Sequence, residues 1–271
     1  MARLKASTAL AVLGGLVMAK VLTSKRKSSG SSGASPIGGQ LDLSAISGLA
    51  QFSRHPERLR RVVWLLQVWT QDARLTADDA AVLLTWAYLE SGFLLNARSG
   101  AGTPDEAVGH SWSMFQISLE TAQGLGIDIR ELLVEAVNGV FREEDIERAT
   151  RANARAALKL VFARHSFTQG EGFLEWLRER YHGEPAQIAR ALFIRASGGP
   201  ARGWDYEYTE NLSPLMQVAP NERPGSGGYI HFQIARRLAV WPLFRRALGL
   251  QAIDPPADLK VPVALPPGEH P

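Results

Sequence analysis

"TADDAAVLLTWAYLESG", residues 76–92, reads as one helix that opens on acids and closes on a single one. Thr76 has the side chain of an N-cap. Asp79 stands three residues on, where its carboxylate can return a bond to the Thr76 backbone, a short-armed capping box. Asp78 and Asp79 suit the positive end of the helix dipole. The eleven residues from Ala80 to Glu90 carry no charge except that of Glu90. Helical spacing puts Asp79, Leu83, Trp86 and Glu90 on one face, with Glu90 one turn after Trp86. Apolar neighbours strip water from the carboxylate, and the negative end of the dipole opposes its charge; both raise its pKa. A carboxyl that keeps its proton near neutral pH is fitted for general acid work. A Glu that simply reaches solvent at a helix end is the other reading of the same residue.

The pattern on both sides is also helical. "ERLRRVVWLLQVWTQ" precedes it with apolar residues at helical spacing. "SLETAQGLG" is short and closes on glycines. Asp128 and Glu131 open "DIRELLVEAV" with a second capping pair, and "EEDIERATRANARAALKLVFARH" is a long helix. "GEGFLEWLRERYHG" and "EPAQIARALFIRASGG" each end at glycine. "YIHFQIARRLAVWPLFRRALG" is the last, and Pro242 is expected to kink it. Runs of alternating apolar and polar residues are missing. The expectation is a mostly α domain over residues 42–253. A Gly/Ser-rich linker (23–41) precedes it, and a Pro-rich tail (254–271) follows.

Composition bounds the rest. With 271 residues, 45% hydrophobic and 21% charged, the chain suits one ordinary globular domain with tails. It has no cysteine, hence no disulfide and no thiolate metal site, and its six histidines show no paired ligand spacing; no cofactor is expected. The formal charge of +3 favours anionic surfaces such as cell wall or phospholipid, but is too small to indicate nucleic-acid binding. "GSGG" at 225–228 opens no strand–helix unit, so no phosphate loop is read there. Residues 1–22 hold a basic start, "MARLK", and the apolar run "ASTALAVLGGLVMA", which is shorter than the about 20 residues of a comfortable span. A cleaved signal, an uncleaved anchor, a membrane-contacting segment of a virus particle and an apolar helix packed on the domain are all consistent with it.

The residues after Glu90 carry a resemblance. "ESGFLLNARS" followed by "GHSWSMFQISLETAQGLG" resembles the lytic transglycosylase and goose-type lysozyme superfamily. That pattern runs Glu-Ser-x-Phe, Ala-x-Ser, Gly-Leu-Met-Gln, Thr-Ala and Gly. Glu90, Ser91 and Phe93 match the first element, and Ala97 and Ser99 the second. Met114, Phe115 and Gln116 stand at the third, followed by Thr121, Ala122 and Gly124. Asn153 resembles the Asn that opens the family's next helix. "IRASGGPARGW" lies over its Tyr-Asn-Ala-Gly-Pro-Gly segment, and "GGYIHFQI" over a late Tyr-Val element. The chain departs from the pattern in three places. Ser113 replaces the glycine, an insertion within "GAGTPDEAVGHSW" lengthens the loop, and Ile194 and Arg195 replace the Tyr-Asn pair whose Tyr helps orient the acid and the sugar.

The resemblance implies a lysozyme-like α-helical domain acting on peptidoglycan glycan strands. It implies cleavage of the β-1,4 bond between N-acetylmuramic acid and N-acetylglucosamine, with Glu90 as the catalytic acid and base. A hydrolysing relative that inverts configuration would need a second acid about 6.5–9.5 Å away. Asp105 and Glu106 are the nearest acids in sequence, and solvated loop acids are the plainer reading of both. Ser99 is a candidate donor to the Glu90 carboxylate or a cap. Gln116 offers donors and acceptors to an N-acetyl group. Met114 and Phe115 either line the groove floor or pack in the core. Trp204 and Tyr229 are candidate sugar-stacking surfaces, although such rings more often serve a core. His110 is either a substrate contact or merely an exposed loop residue. The expected setting is the cell envelope or a phage virion, with membrane contact through residues 1–22. A hydrolysing goose-type lysozyme and a degenerate wall-binding module are the alternatives.

Overall fold

The computed structural model describes residues 37, 41–98, 111–164, 168, 170–196 and 227–253, without the side chains of 194–196 and 227–235. Helix accounts for 62% of what is described, so the mostly α class is shown. Two short helices, α1 (Ser44–Ser47) and α2 (Ala50–Arg54), lead through a 3-10 turn at Pro56–Arg58 into α3 (Leu59–Trp69). Then come α4 (Ala77–Ser91), a two-stranded hairpin of β1 (Ser111–Trp112) and β2 (Ile117–Ser118), α5 (Leu119–Gly124) and α6 (Ile129–Leu132). The remaining helices are α7 (Glu143–Val161), α8 (Phe173–Arg180), α9 (Pro185–Ala196) and α10 (Gly227–Ala247).

Helix α4 is the hub. Apart from Asp78, every residue from Ala77 to Tyr88 is buried, and α3, α9 and α10 pack against it. A helix apolar around its whole circumference has nowhere else to go. Its N-terminus forms the expected capping box. The Asp79 N–H donates to Thr76 Oγ1 at 3.2 Å, and the Thr76 N–H donates to Asp79 Oδ2 at 2.8 Å. On the far side of α3 lies α7, which also covers α6. The Trp69 indole N–H donates to the Ala154 carbonyl at 3.0 Å and ties α3 to α7. Phe52, Tyr88, Phe93 and Phe244 form an aromatic cluster where α2, the end of α4 and α10 meet, with Phe52–Phe93 centroids 5.3 Å apart.

Several elements differ from the sequence expectations. In "DIRELLVEAV" Asp128 does cap, accepting the Arg130 N–H at 2.9 Å, but the helix stops at Leu132. Asn96 draws the chain out of it, donating to the Val134 carbonyl at 2.7 Å and accepting its N–H at 2.9 Å. Asn138 and Gly139, both at positive φ, then turn the chain tightly between Val137 and Val140. The hairpin was not expected, because two residues per strand are too few for alternation to show. Ile37 and Leu41, inside the stretch read as linker, pack against the core. Leader residues 1–22 and tail residues 254–271 lie outside the described residues. Among those described, no helix is long and apolar enough to cross a membrane.

Candidate active site around Glu90

Glu90 lies in the final turn of α4, and the backbone after it is tightly determined. Gly92 and Phe93 are both left-handed, at φ 57° and 65°. Their N–H groups turn back onto the carbonyls of Tyr88 (2.8 Å) and Ala87 (3.4 Å). Glycine is favoured at 92: its left-handed φ strains other residues, and a Cβ would have to displace the Gln51 side chain, 2.9 Å away. Arg58 donates to the Gly92 carbonyl (3.0 Å) and to Gln51 Oε1 (2.8 Å). Arg61 donates to the Phe93 carbonyl. Burial, aided by neighbouring Arg58, pushes the Arg61 guanidinium down to about 10. Two cations on the last carbonyls suit the negative end of the helix.

The Glu90 side chain is 20% exposed and forms an ion pair with Arg237 of α10, whose side chain is 3% exposed. Burial pushes the Glu90 carboxyl above its ordinary range. The charge of Arg237, its hydrogen bond and the charge of Arg236 pull the other way, and burial prevails. The sequence argument for a raised pKa therefore has its main cause right, but it missed the arginine. A clue was present in "IARRLAVW", where two cations interrupt an apolar helix just as Glu90 interrupts α4.

The hairpin comes to the acid through Ser91. Its Oγ lies 2.9 Å from the Met114 carbonyl and 3.0 Å from that of Ala87. The hairpin's turn, 113–116, starts and ends in the left-handed region, with Ser113 at φ 66° and Gln116 at φ 50°. Ser113 stands where the resembled pattern has glycine. Its hydroxyl lies 2.9 Å from both the Leu132 carbonyl and Asn153 Oδ1. Asn153, fully buried on α7, accepts the Met114 N–H at 3.3 Å and donates to the Leu132 and Ala149 carbonyls. The turn is thus bolted to α7 by a buried amide.

No protein-family model, curated protein or solved structure matches this chain. Its site rests on its own geometry. Of the sequence-predicted residues, Glu90 and Gln116 are both partly exposed. Gln116 Nε2 donates to the Ser113 carbonyl at 2.9 Å and so helps to close the turn. Met114 and Phe115 resolve to the core reading: they are 0% and 1% exposed, and the Phe115 ring sits against Trp69 and Trp86 at 6.4 and 6.2 Å. Their side chains support the turn from below and offer no face to a sugar. Ser99, Asp105, Glu106, His110 and Trp204 lie outside the described residues. Tyr229 lies in the first turn of α10, and its side chain is not described. A separate cleft of about 530 Å³ is lined by Asn96, Trp112, Val134 and residues of α6 and α7, and Glu90 is not among them. Among the described residues no three His, Asp or Glu side chains converge as metal ligands.

Proposed function

We propose that this chain is a peptidoglycan lytic transglycosylase of lysozyme-like fold, with Glu90 as its single acid–base residue. The observation that carries the reading is the Ser91–Met114 contact. It joins the two sequence elements of the resemblance, "ESGF" and "SMFQ", at the one acid of an otherwise apolar helix end. A half-buried carboxyl with a raised pKa is suited to hold a proton and then release it.

In the reaction, Glu90 gives its proton to the glycosidic oxygen as the bond from the anomeric carbon breaks, and the electron pair leaves with that oxygen. The N-acetyl carbonyl oxygen of the same sugar bonds to the anomeric carbon and holds the positive charge, as in substrate-assisted glycosidases. Glu90, now a carboxylate, takes the proton of the 6-hydroxyl. The 6-oxygen then displaces the N-acetyl oxygen and closes the 1,6-anhydro ring. No second protein acid takes part. The setting is the cell envelope or a phage virion, with membrane contact through residues 1–22.

One observation favours a second reading, a non-catalytic wall-binding module. Asp78 pairs with Arg245 at the other end of the α4–α10 contact, so Glu90–Arg237 doubles as half of a two-ended clamp. Mass spectrometry of muropeptides separates the two. The wild-type chain is expected to release anhydro ends, and Glu90→Gln to lose about 10²–10⁴-fold in rate with its helical circular dichroism intact. Reducing ends would assign a hydrolase instead, and no products at all would assign the module.

A further inference from the structure

We infer that Arg237 is the positioning residue of Glu90: its guanidinium takes Oε1, fixes the carboxyl in one orientation, and leaves the transferable proton to Oε2. The inference rests on Glu90 being the acid–base residue of the proposed reaction. It adds a residue that the motif resemblance does not contain, from a helix 147 residues away.

The geometry is specific. Arg237 is almost fully buried, and its Nη2 contacts Oε1 of Glu90. A cationic N–H donor favours the unprotonated carboxyl oxygen as its acceptor, so protonation of this carboxyl is directed to Oε2. Helices α3, α9 and α10, which pack around α4, contain no Asp or Glu. The charged groups that the described residues bring to the end of α4 include Arg236 and Arg237 on α10, Arg58 and Arg61 under the following turn with Glu57 near them, and Arg54, which acts on Tyr88. Among the described residues, Glu90 is the acid that Arg237 contacts.

The electrostatic consequence has a definite sign. Burial raises the pKa of Glu90 and Arg237 lowers it, so the pair sets a working point between the two. Glycan cleavage needs the protonated form, and activity falls as pH rises through that pKa. Without the guanidinium the pKa climbs further, and the alkaline limb of the pH profile moves up. An opposite charge at contact typically shifts a carboxyl by about 1–3 units.

The test uses the full chain as wild type, Arg237→Gln and Arg237→Lys. The Glu90 carboxyl is titrated by ¹³C NMR, assigned by its disappearance in Glu90→Gln. Muropeptide release is measured from pH 4 to 9. The expected result is a Glu90 pKa at least about one unit higher in Arg237→Gln. The alkaline limb should move with it, and Arg237→Lys should restore the position of the limb but not the full rate, because an ammonium is a point charge without a planar fork. An unmoved Glu90 titration in Arg237→Gln overturns the inference, whatever the activity. A wild type that cleaves, loses cleavage in Glu90→Gln and keeps its limb in Arg237→Gln overturns the inference and leaves the transglycosylase standing. A wild type that cleaves nothing overturns the proposed function, and the titration alone then decides the clamp. If Arg237→Gln does not fold, Arg237→Lys decides: a limb displaced from wild type, despite a retained positive charge, overturns the inference.

Discussion

Ser113 shows how one side chain can both strain and secure a site. At φ 66° it occupies a conformation that a residue with a Cβ enters at roughly 1–2 kcal/mol. In return its hydroxyl joins the buried group of Asn153 and the Leu132 carbonyl. The two effects are separable by mutation. Ser113→Gly releases the strain and loses the hydroxyl, whereas Ser113→Ala loses the hydroxyl and keeps the strain. Both are expected to be less stable than wild type, and Ser113→Ala by about 1 kcal/mol more than Ser113→Gly. Urea unfolding of the three proteins orders them. Equal midpoints for the two variants would remove strain from the account. The sequence put a serine where the resembled pattern has glycine, but did not show what holds it there. Asn153 is 40 residues away, and its partners are backbone carbonyls that no residue type reports.

At the scale of elements, the helices were legible wherever their ends were. Thr76 and Asp79 announced α4, and the acids at Glu143, Glu144 and Asp145 stand in the first turn of α7. The end of α6 was not legible, because Asn96, far upstream, takes the Val134 backbone out of the helix. How α4 meets α10 was equally hidden. Three acids of α4 each find an arginine on another helix: Asp78 with Arg245, Asp79 with Arg178 and Glu90 with Arg237. The Asp78–Arg245 pair is the structural end of this set, away from the candidate site. Arg245 is almost buried while the Asp78 side chain keeps 21% exposure, so the pair should be worth less than a fully buried one. Arg245→Gln alone is expected to destabilise by about 1–3 kcal/mol, because it strands the acid, and the double variant Asp78→Asn/Arg245→Gln should recover part of that. A double-mutant cycle in urea measures the coupling. Strict additivity would mean that Asp78 and Arg245 are not coupled and that other contacts hold this end of α4.

For the whole molecule, the sequence marked off a folded body and set it apart from its leader, and the boundary is where the structure adds most. Composition alone assigned residues 23–41 to a linker, since Gly and Ser carry no apolar pattern. Yet Ile37 and Leu41 are partly buried against the core, and the Asp42 N–H donates to the Ala247 carbonyl at 2.8 Å, fastening the start of the body to the end of α10. Two isolated apolar residues in a polar stretch have no periodicity to betray them. They do predict where the chain can be cut. A chain beginning at Pro36 should unfold at the same urea midpoint as the full protein. One beginning at Ser44 forgoes three partly buried aliphatic side chains, Ile37, Leu41 and Leu43, and the Asp42 bond, and should lose roughly 2–4 kcal/mol. The same pair of proteins tests the leader. The run from Ala6 to Ala19 is apolar enough for a membrane interface and lies beside the cations of "MARLK" and "KRK". The full chain is therefore expected to float with anionic vesicles, and the chain from Pro36 to stay in the soluble fraction while still clearing isolated cell wall. Equal flotation of both would move lipid contact onto the folded body. Loss of folding in the chain from Pro36 would make residues 1–35 part of its core.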